Sequence, residues 1–260
     1  MKTAFITLSH EGASLIPQLK QEFGEIDCYL HETVVAVENC RSFAHIADLT
    51  REVFPRYRAL IYAAPCGVVV RSLAGCFVSK LADPGIVVLD VGARWAVSLL
   101  SGHEGGANDL AIRIANLFDA EAVVTTTTEA VKNLIVGVGC RRGVTRSQIV
   151  EAIEQALARV EMPLARVRLL ASASVKQHEA GLLEAAAQLN LPLRFISMEQ
   201  IRQCPYDLSQ SDFVQKSVGV PAVAEPVALL AGRRTKLILP KTIFNSVTVA
   251  IARENCTSLE

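Results

Sequence analysis

No run of five like charges occurs in these 260 residues, and 26 Lys and Arg balance 26 Asp and Glu. A basic face for nucleic acid is thereby excluded, although a local cationic pocket for an acidic small molecule is not. The seven cysteines (28, 40, 66, 76, 140, 204 and 256) contain no C-x-x-C pair and are odd in number. That speaks against a disulfide scaffold or a zinc ribbon and for reduced thiols in a cytoplasmic protein. Long hydrophobic runs are missing too: the longest, from 59 to 70, is broken by Pro65 and Gly67 and is too short to span a bilayer. The opening Met1-Lys-Thr-Ala-Phe-Ile-Thr-Leu-Ser-His10 reads as a first strand, not a signal peptide. There is no Pro/Ser linker, internal repeat or low-complexity segment, so any two halves are expected to pack closely.

What is present is a 51% hydrophobic, 20% charged chain of the size of two ordinary domains. Strand-like and helix-like runs alternate from end to end, the pattern of an α/β protein with mainly parallel sheets. In the first half the reading gives strands over 4–8, 58–63, 86–90, 96–100 and 122–125 and helices over 13–23, 41–54 and 103–118. The turn Gly92-Ala-Arg94 joins 86–90 to 96–100 as paired strands. In the second half strands are expected over 134–138, 167–170, 193–195, 236–239 and 247–252, and helices over 148–160, 179–189 and 222–230. The boundary falls at 132/133, giving domains 1–132 and 133–260 with a substrate cleft between them.

The most informative stretch is Ser98-Leu-Leu-Ser-Gly-His-Glu-Gly-Gly-Ala-Asn108. Ser101 and Glu104 stand at capping-box spacing. From Ala107 the apolar residues Leu110, Ala111, Ile114, Ala115 and Phe118 form one buried helical stripe. Gly102, Gly105 and Gly106 leave bare backbone at the helix start, where amides could receive a carboxylate or an oxyanion. His103 beside them suits a general base near neutral pH, or else a solvent-facing residue of a helix cap.

A second loop, Gly137-Val-Gly-Cys-Arg-Arg-Gly-Val-Thr145, follows a buried strand and precedes a helix opened by a Thr145–Gln148 capping-box pair. Its G-x-G-x-x-x-G spacing is neither the dinucleotide fingerprint nor a Walker A loop, and Ala-Ser-Ala-Ser174 lacks the acid a nicotinamide ribose needs. Gly139 and Arg141 could still meet an anion, or the loop is a tight turn with exposed arginines. Cys140 is a nucleophile at a helix start or, more simply, a small half-buried spacer. Lys176 and Glu179 are substrate-binding groups or a surface i, i+3 pair. Glu225, on an apolar helix start, needs a partner, and Lys241 is the natural cation to meet it. Arg71 and Lys80 add cations near predicted loop mouths, each also readable as a solvated charge. Several such cations at strand C-termini would fit the usual site of an α/β fold. No His/Cys/Asp cluster has the look of a metal site.

In this order the segments resemble the cobalt-precorrin-5A hydrolase (CbiG) family of cobalamin biosynthesis. The matching stretches are Gly67-Val-Val-Val-Arg71, Lys80-Leu-Ala-Asp-Pro84, the Ser98–Asn108 motif, Thr125 to Thr128, Val136-Gly-Val-Gly-Cys-Arg-Arg-Gly143, Lys176-x-x-Glu179 with Gly181-Leu-Leu183, Gly219-Val-Pro-Ala-Val-Ala-Glu225, Pro240-Lys241 and Val247-Thr-Val-Ala-Ile-Ala252. The resemblance implies opening of a lactone on the cobalt-containing macrocycle and release of acetaldehyde to give cobalt-precorrin-5B. On that reading His103 and Glu225 are catalytic. Arg71, Lys80, Ser101, Gly102, Gly105, Gly106, Asn108, Gly139, Arg141, Lys176, Glu179 and Lys241 bind substrate. Cobalt arrives within the corrinoid, with no metal or cofactor held by the protein, and neighbouring pathway enzymes are candidate partners. One departure stands out: family members carry a middle segment between the halves, whereas here Thr128 runs almost straight into Leu134. A homodimer would close a cleft shortened in this way. The second half is also similar to CobE-like proteins, which leaves a non-catalytic corrinoid carrier as the alternative.

Overall fold

The computed structural model describes residues 2–205 and 223–256. They form two compact units, one ending at Thr126 and the other beginning at Thr127. The division comes six residues before the expected 132/133 boundary, because the short helix α6 (Thr127–Ala130) groups with the second unit. No described helix is long and apolar enough to cross a membrane.

The first unit holds β1 (Thr3–Thr7), α1 (His10–Ala13), α2 (Ile16–Phe23), β2 (Ile26–His31), β3 (Cys40–Phe43), α3 (Ile46–Val53), β4 (Ala59–Ala63), α4 (Cys66–Ser72), β5 (Gly85–Leu89), β6 (Trp95–Leu100), α5 (Ala107–Phe118) and β7 (Glu121–Val123). They build a sheet of order β3-β2-β1-β4-β5-β6-β7. β1, β4 and β5 are buried along their whole length, as continuous apolar strands covered on both faces must be. Side chains alternate between two cores. Phe5, Ile61 and Val87 meet α2 and the Ala107–Ile114 stripe of α5, while Ile6, Leu60 and Tyr62 meet Leu49 and Val53 of α3 and Val69 of α4.

The expected strand pair across the Gly92 turn is present, with β5 and β6 antiparallel. One expectation is corrected, and two elements are present that the sequence reading did not include. Residues 41–54 are not one helix: 40–43 pair with β2 as a parallel edge strand before α3 begins. β2 escaped the reading because Asp27 interrupts its apolar pattern. α4 forms despite three consecutive valines, since Pro65 fixes its N-cap and Val69 packs into the core.

The second unit continues with β8 (Leu134–Cys140), α7 (Arg146–Arg159), β9 (Val167–Ala173), α8 (Ala180–Leu189), β10 (Leu193–Ile196), α9 (Met198–Arg202), α10 (Ala224–Leu230), β11 (Thr235–Phe244) and β12 (Val247–Glu254). The sheet order is β10-β9-β8-β12-β11, with β8, β9 and β10 parallel and β12 antiparallel to both β8 and β11. Leu134, Val136 and Val138 face α7 and α8, while Ile135 faces α10. Both units are thus α/β: the first sheet is parallel but for the β5–β6 pair, and the second joins three parallel strands to an antiparallel β12–β11 edge. The first-strand reading of 4–8 coincides with β1 but for one residue at each end. The start of the expected 222–230 helix, Ala222, and Gly219 to Pro221 of the same motif lie outside the described residues.

Candidate functional site

β6 runs against β5 and parallel to β7, so the loop after Leu100 leaves the sheet at the N-terminal edge of the five parallel strands β1 to β5. The expectation of cations gathered at strand C-termini is therefore corrected in this unit. Lys80, in the segment that leads into β5, lies on the same edge, and its ammonium meets the Glu104 carboxylate at 3.2 Å. Hydrogen bonding from its own backbone N–H, followed by Lys80, holds the Glu104 carboxyl below the usual carboxylate range. Arg71 is not in a loop mouth: it sits on the last turn of α4 and donates back to the Gly67 carbonyl at 3.4 Å.

The loop itself is not a capping box. Ser101 takes φ +54° and Gly106 takes φ +77°, both left-handed, and α5 starts only at Ala107 with Gly106 as an N-cap that offers no side chain. The Gly105 N–H donates to the Ser101 carbonyl at 3.0 Å and the Gly106 N–H to the His103 carbonyl at 3.2 Å. Neither amide is therefore available to an oxyanion, and that expected role is withdrawn. What comes close to the glycines is the protein: a Cβ on Gly105 would stand 2.5 Å from Ser101 Cβ and 2.8 Å from the Gly85 nitrogen. A Cβ on Gly102 would meet Thr126 Cγ2 at 2.6 Å. His103 is exposed, and the Ser101 hydroxyl is buried with no hydrogen-bond partner among the described residues.

Asn108, expected to touch substrate, is instead a buried cross-tie. Its Oδ1 accepts from the Ser98 hydroxyl at 2.8 Å, and its Nδ2 donates to Thr126 Oγ1 at 3.0 Å. Asn108→Ala should lower the urea-unfolding free energy by about 1–3 kcal/mol, the usual cost of stranding half-buried polar partners. Unchanged stability would return Asn108 to the list of ligand contacts.

In the second unit the C-terminal ends of β8 and β9 do present the expected groups together. Gly139 and Cys140 are still within β8, so the turn proper is only 141–145, closed by the expected Thr145–Gln148 capping box. Lys176 and Glu179 are no surface pair: they bond at 3.0 Å, both largely buried, and Glu179 Oε1 accepts the Gly143 N–H at 2.8 Å. The Gly143 hydrogen bond first, and then Lys176, keep the Glu179 carboxyl below its ordinary range. Burial pushes the Cys140 thiol up, which suits the spacer reading and not an activated nucleophile. Arg141 is exposed, and its backbone N–H reaches the Ser246 carbonyl at 3.4 Å.

A carboxylate whose folded pKa is depressed adds stability above its unfolded pKa and loses it as pH falls through the folded value. The stability gap between wild type and Glu179→Gln should thus be widest at neutral pH and shrink on acidification below the usual carboxylate range. Urea titrations at stepped pH would show this, and a pH-independent gap would contradict it.

Glu225 lies 2% exposed at the start of α10. Its Oε1 accepts the backbone N–H of Lys241 at 2.8 Å. The β11–β12 register explains the arrangement: Leu239 pairs with Ile251 and Thr242 with Val249, so Pro240 and Lys241 bulge opposite one residue and free that N–H. The expected meeting of Glu225 and Lys241 occurs, with the Lys241 backbone N–H as the donor, and the carboxylate is buried in the fold.

Two family models match the chain: "Cobalamin synthesis G N-terminal" over residues 48–129 and "Cobalamin synthesis G C-terminus" over residues 134–252. The chain belongs to the cobalamin synthesis G family. A cobalt-precorrin-5A hydrolase of Priestia megaterium is 22% identical, covering 96% of this chain and 94% of its own length. That of Salmonella typhimurium is 23% identical over 71% and 79%. A probable cobalt-precorrin-5A hydrolase of Methanocaldococcus jannaschii is 38% identical, but over 47% of this chain, which spans 41% of that relative. Among solved structures, CobE, described as a protein from the cobalamin (vitamin B12) biosynthetic pathway, is 32% identical over 47% of this chain and 91% of its own, with a TM-score of 0.44. The alignment with the Priestia relative runs over 352 positions, more than this chain contains, so that family member carries residues absent here.

Within the family frame, the histidine loop and Lys80 fall in the N-terminal match, and the Gly139–Glu179 cluster falls in the C-terminal one. Asp83 was passed over in the sequence although it lies in the Lys80–Pro84 motif. It is 6% exposed and accepts the Val78 and Ser79 N–H groups at 2.9 and 3.2 Å, fixing the loop that carries Lys80. An acid preceding a proline after an apolar stretch was the available signal.

Proposed function

We propose that this chain hydrolyses cobalt-precorrin-5A in the anaerobic route to cobalamin, with the Ser101–Gly106 loop as its catalytic centre. The observation that carries the reading is the strain of that loop. A left-handed serine and a buried, unpartnered hydroxyl stand two residues from an exposed histidine, and neither serves to cap α5. Outliers of this kind cost on the order of 1–3 kcal/mol and collect where function requires them.

In this reading His103 takes a proton from water as the water oxygen bonds to the lactone carbonyl and the ring C–O bond opens. The freed alcohol then loses its proton, the adjacent C–C bond breaks with its electron pair passing into the conjugated macrocycle, which takes up a proton, and the two-carbon fragment leaves as acetaldehyde, giving cobalt-precorrin-5B. Arg71 and Lys80 in the first unit are candidate partners for carboxylate arms; in the second unit, taken by itself, Arg141, Lys176 and Lys241 are cations that would pair with carboxylates, and Gly139 lies near the C-terminal end of β8. Cobalt is part of the substrate. The seven free cysteines suit the reducing cytoplasm.

Anaerobic incubation with the lactone precorrin should release one acetaldehyde per corrinoid consumed. Mass spectrometric recovery of unaltered, protein-bound corrinoid would overturn hydrolysis in favour of the carrier reading.

A further inference from the structure

We propose that Phe77, Val78 and Leu81 form an apolar platform for the flat face of the macrocycle, with Lys80 between them holding one of its carboxylate arms. The proposal rests on the corrinoid reading above and names the surface that would receive the ligand.

Three apolar side chains within five residues stand in solvent, at 55%, 79% and 72% exposure. Scattered apolar residues are normal on a surface, but a cluster on an ordered loop calls for an occupant. Order here is explicit. Asp83 accepts two backbone N–H groups from Val78 and Ser79, and the Ala82 and Asp83 N–H groups both reach the Ser79 carbonyl, at 3.0 and 2.9 Å. Phe77 is steadied from beneath by an edge contact with buried Phe54, their centroids 6.4 Å apart. The backbone is thus pinned while its apolar side chains point outward.

Chemical complementarity selects the occupant. A corrinoid is a broad apolar disc with a rim of carboxylates, and this loop carries three exposed apolar side chains and an exposed lysine within five residues. The Lys80–Glu104 pair also ties this loop to the histidine loop, at the residue that follows His103. An exposed cation next to one carboxylate can turn to a second at little cost, because surface ion pairs of this kind are weak.

The test uses V78S/L81S, which leaves every backbone hydrogen bond of the loop in place, and K80Q. Wild type and variants are titrated anaerobically with cobalt-precorrin-5A by absorbance, assayed for acetaldehyde, and run in sedimentation velocity. V78S/L81S should weaken binding roughly tenfold, raising KM more than it lowers kcat, and K80Q should weaken it several-fold. Unchanged affinity in V78S/L81S overturns the platform, and does so equally if the variant loses self-association, which assigns the patch to a second copy of the chain. A wild type that binds precorrin without releasing acetaldehyde, and whose binding V78S/L81S still weakens, supports the platform while rejecting hydrolysis.

Discussion

His103→Ala should reduce acetaldehyde release by about 10²–10⁴-fold, the span general-base catalysis supplies. Folding should be preserved. The side chain is exposed, and the contact that shapes the loop, the Gly106 N–H on the residue 103 carbonyl, belongs to the backbone and survives the substitution. Unfolding free energy should therefore stay within about 0.5 kcal/mol of wild type, as is usual for exposed positions. His103→Gln keeps a polar side chain of similar reach but no proton acceptor of the right basicity, so it should fall with the alanine variant. Corrinoid affinity should change little in both, because the loss belongs to the transition state and not to ground-state binding. Turnover at the wild-type rate in either variant would remove the imidazole from the reaction. The catalytic role would then pass to another group in the loop, and Ser101 would be the first to test.

The sequence shows this loop at two depths. The Ala107–Ala115 stripe was legible because a 3.6-residue period has one reading when its apolar side faces a sheet. Two capping boxes of identical spacing had opposite outcomes: Thr145–Gln148 forms and Ser101–Glu104 does not. The difference lies in backbone angles, since Ser101 and Gly106 turn left-handed and delay the helix by four residues. Residue spacing does not carry that information. The reversal of β6 was within reach, because the Gly92 turn already implied an antiparallel pair. Its consequence is that the histidine loop opens at the opposite sheet edge from the β1 and β4 loops, and it appears only when the strand order is known. Glu225 shows the same limit: its need for a partner was readable, but the bulge at Pro240 that supplies a backbone N–H was not.

Gly137→Ala should cost the second unit about 3 kcal/mol of unfolding free energy, whereas Gly139→Ala, two residues along the same face of β8, should cost almost nothing. A Cβ at 137 would sit 2.0 Å from the Ala224 carbonyl oxygen and 2.9 Å from Ala228 Cβ. The first of these is backbone, so relief requires lifting α10 off the sheet and parting Ala224, Val227 and Ala228 from Ile135, Ala171 and Ala250. Overpacking of a close-packed interface carries that order of penalty. At 139 the nearest atoms are Thr248 Cβ and Val223 Cβ, both at 3.8 Å, which is ordinary contact. The lower chain entropy of alanine in the unfolded state would offset what little is lost there. Urea unfolding of the two variants side by side decides the matter. A Gly137→Ala protein as stable as wild type would mean that α10 does not approach β8 so closely. Should the pair behave as expected, the two glycines separate by task. Gly137 is present so that α10 can dock, and Gly139 remains free for the ligand role, open to a binding measurement that stability does not confound.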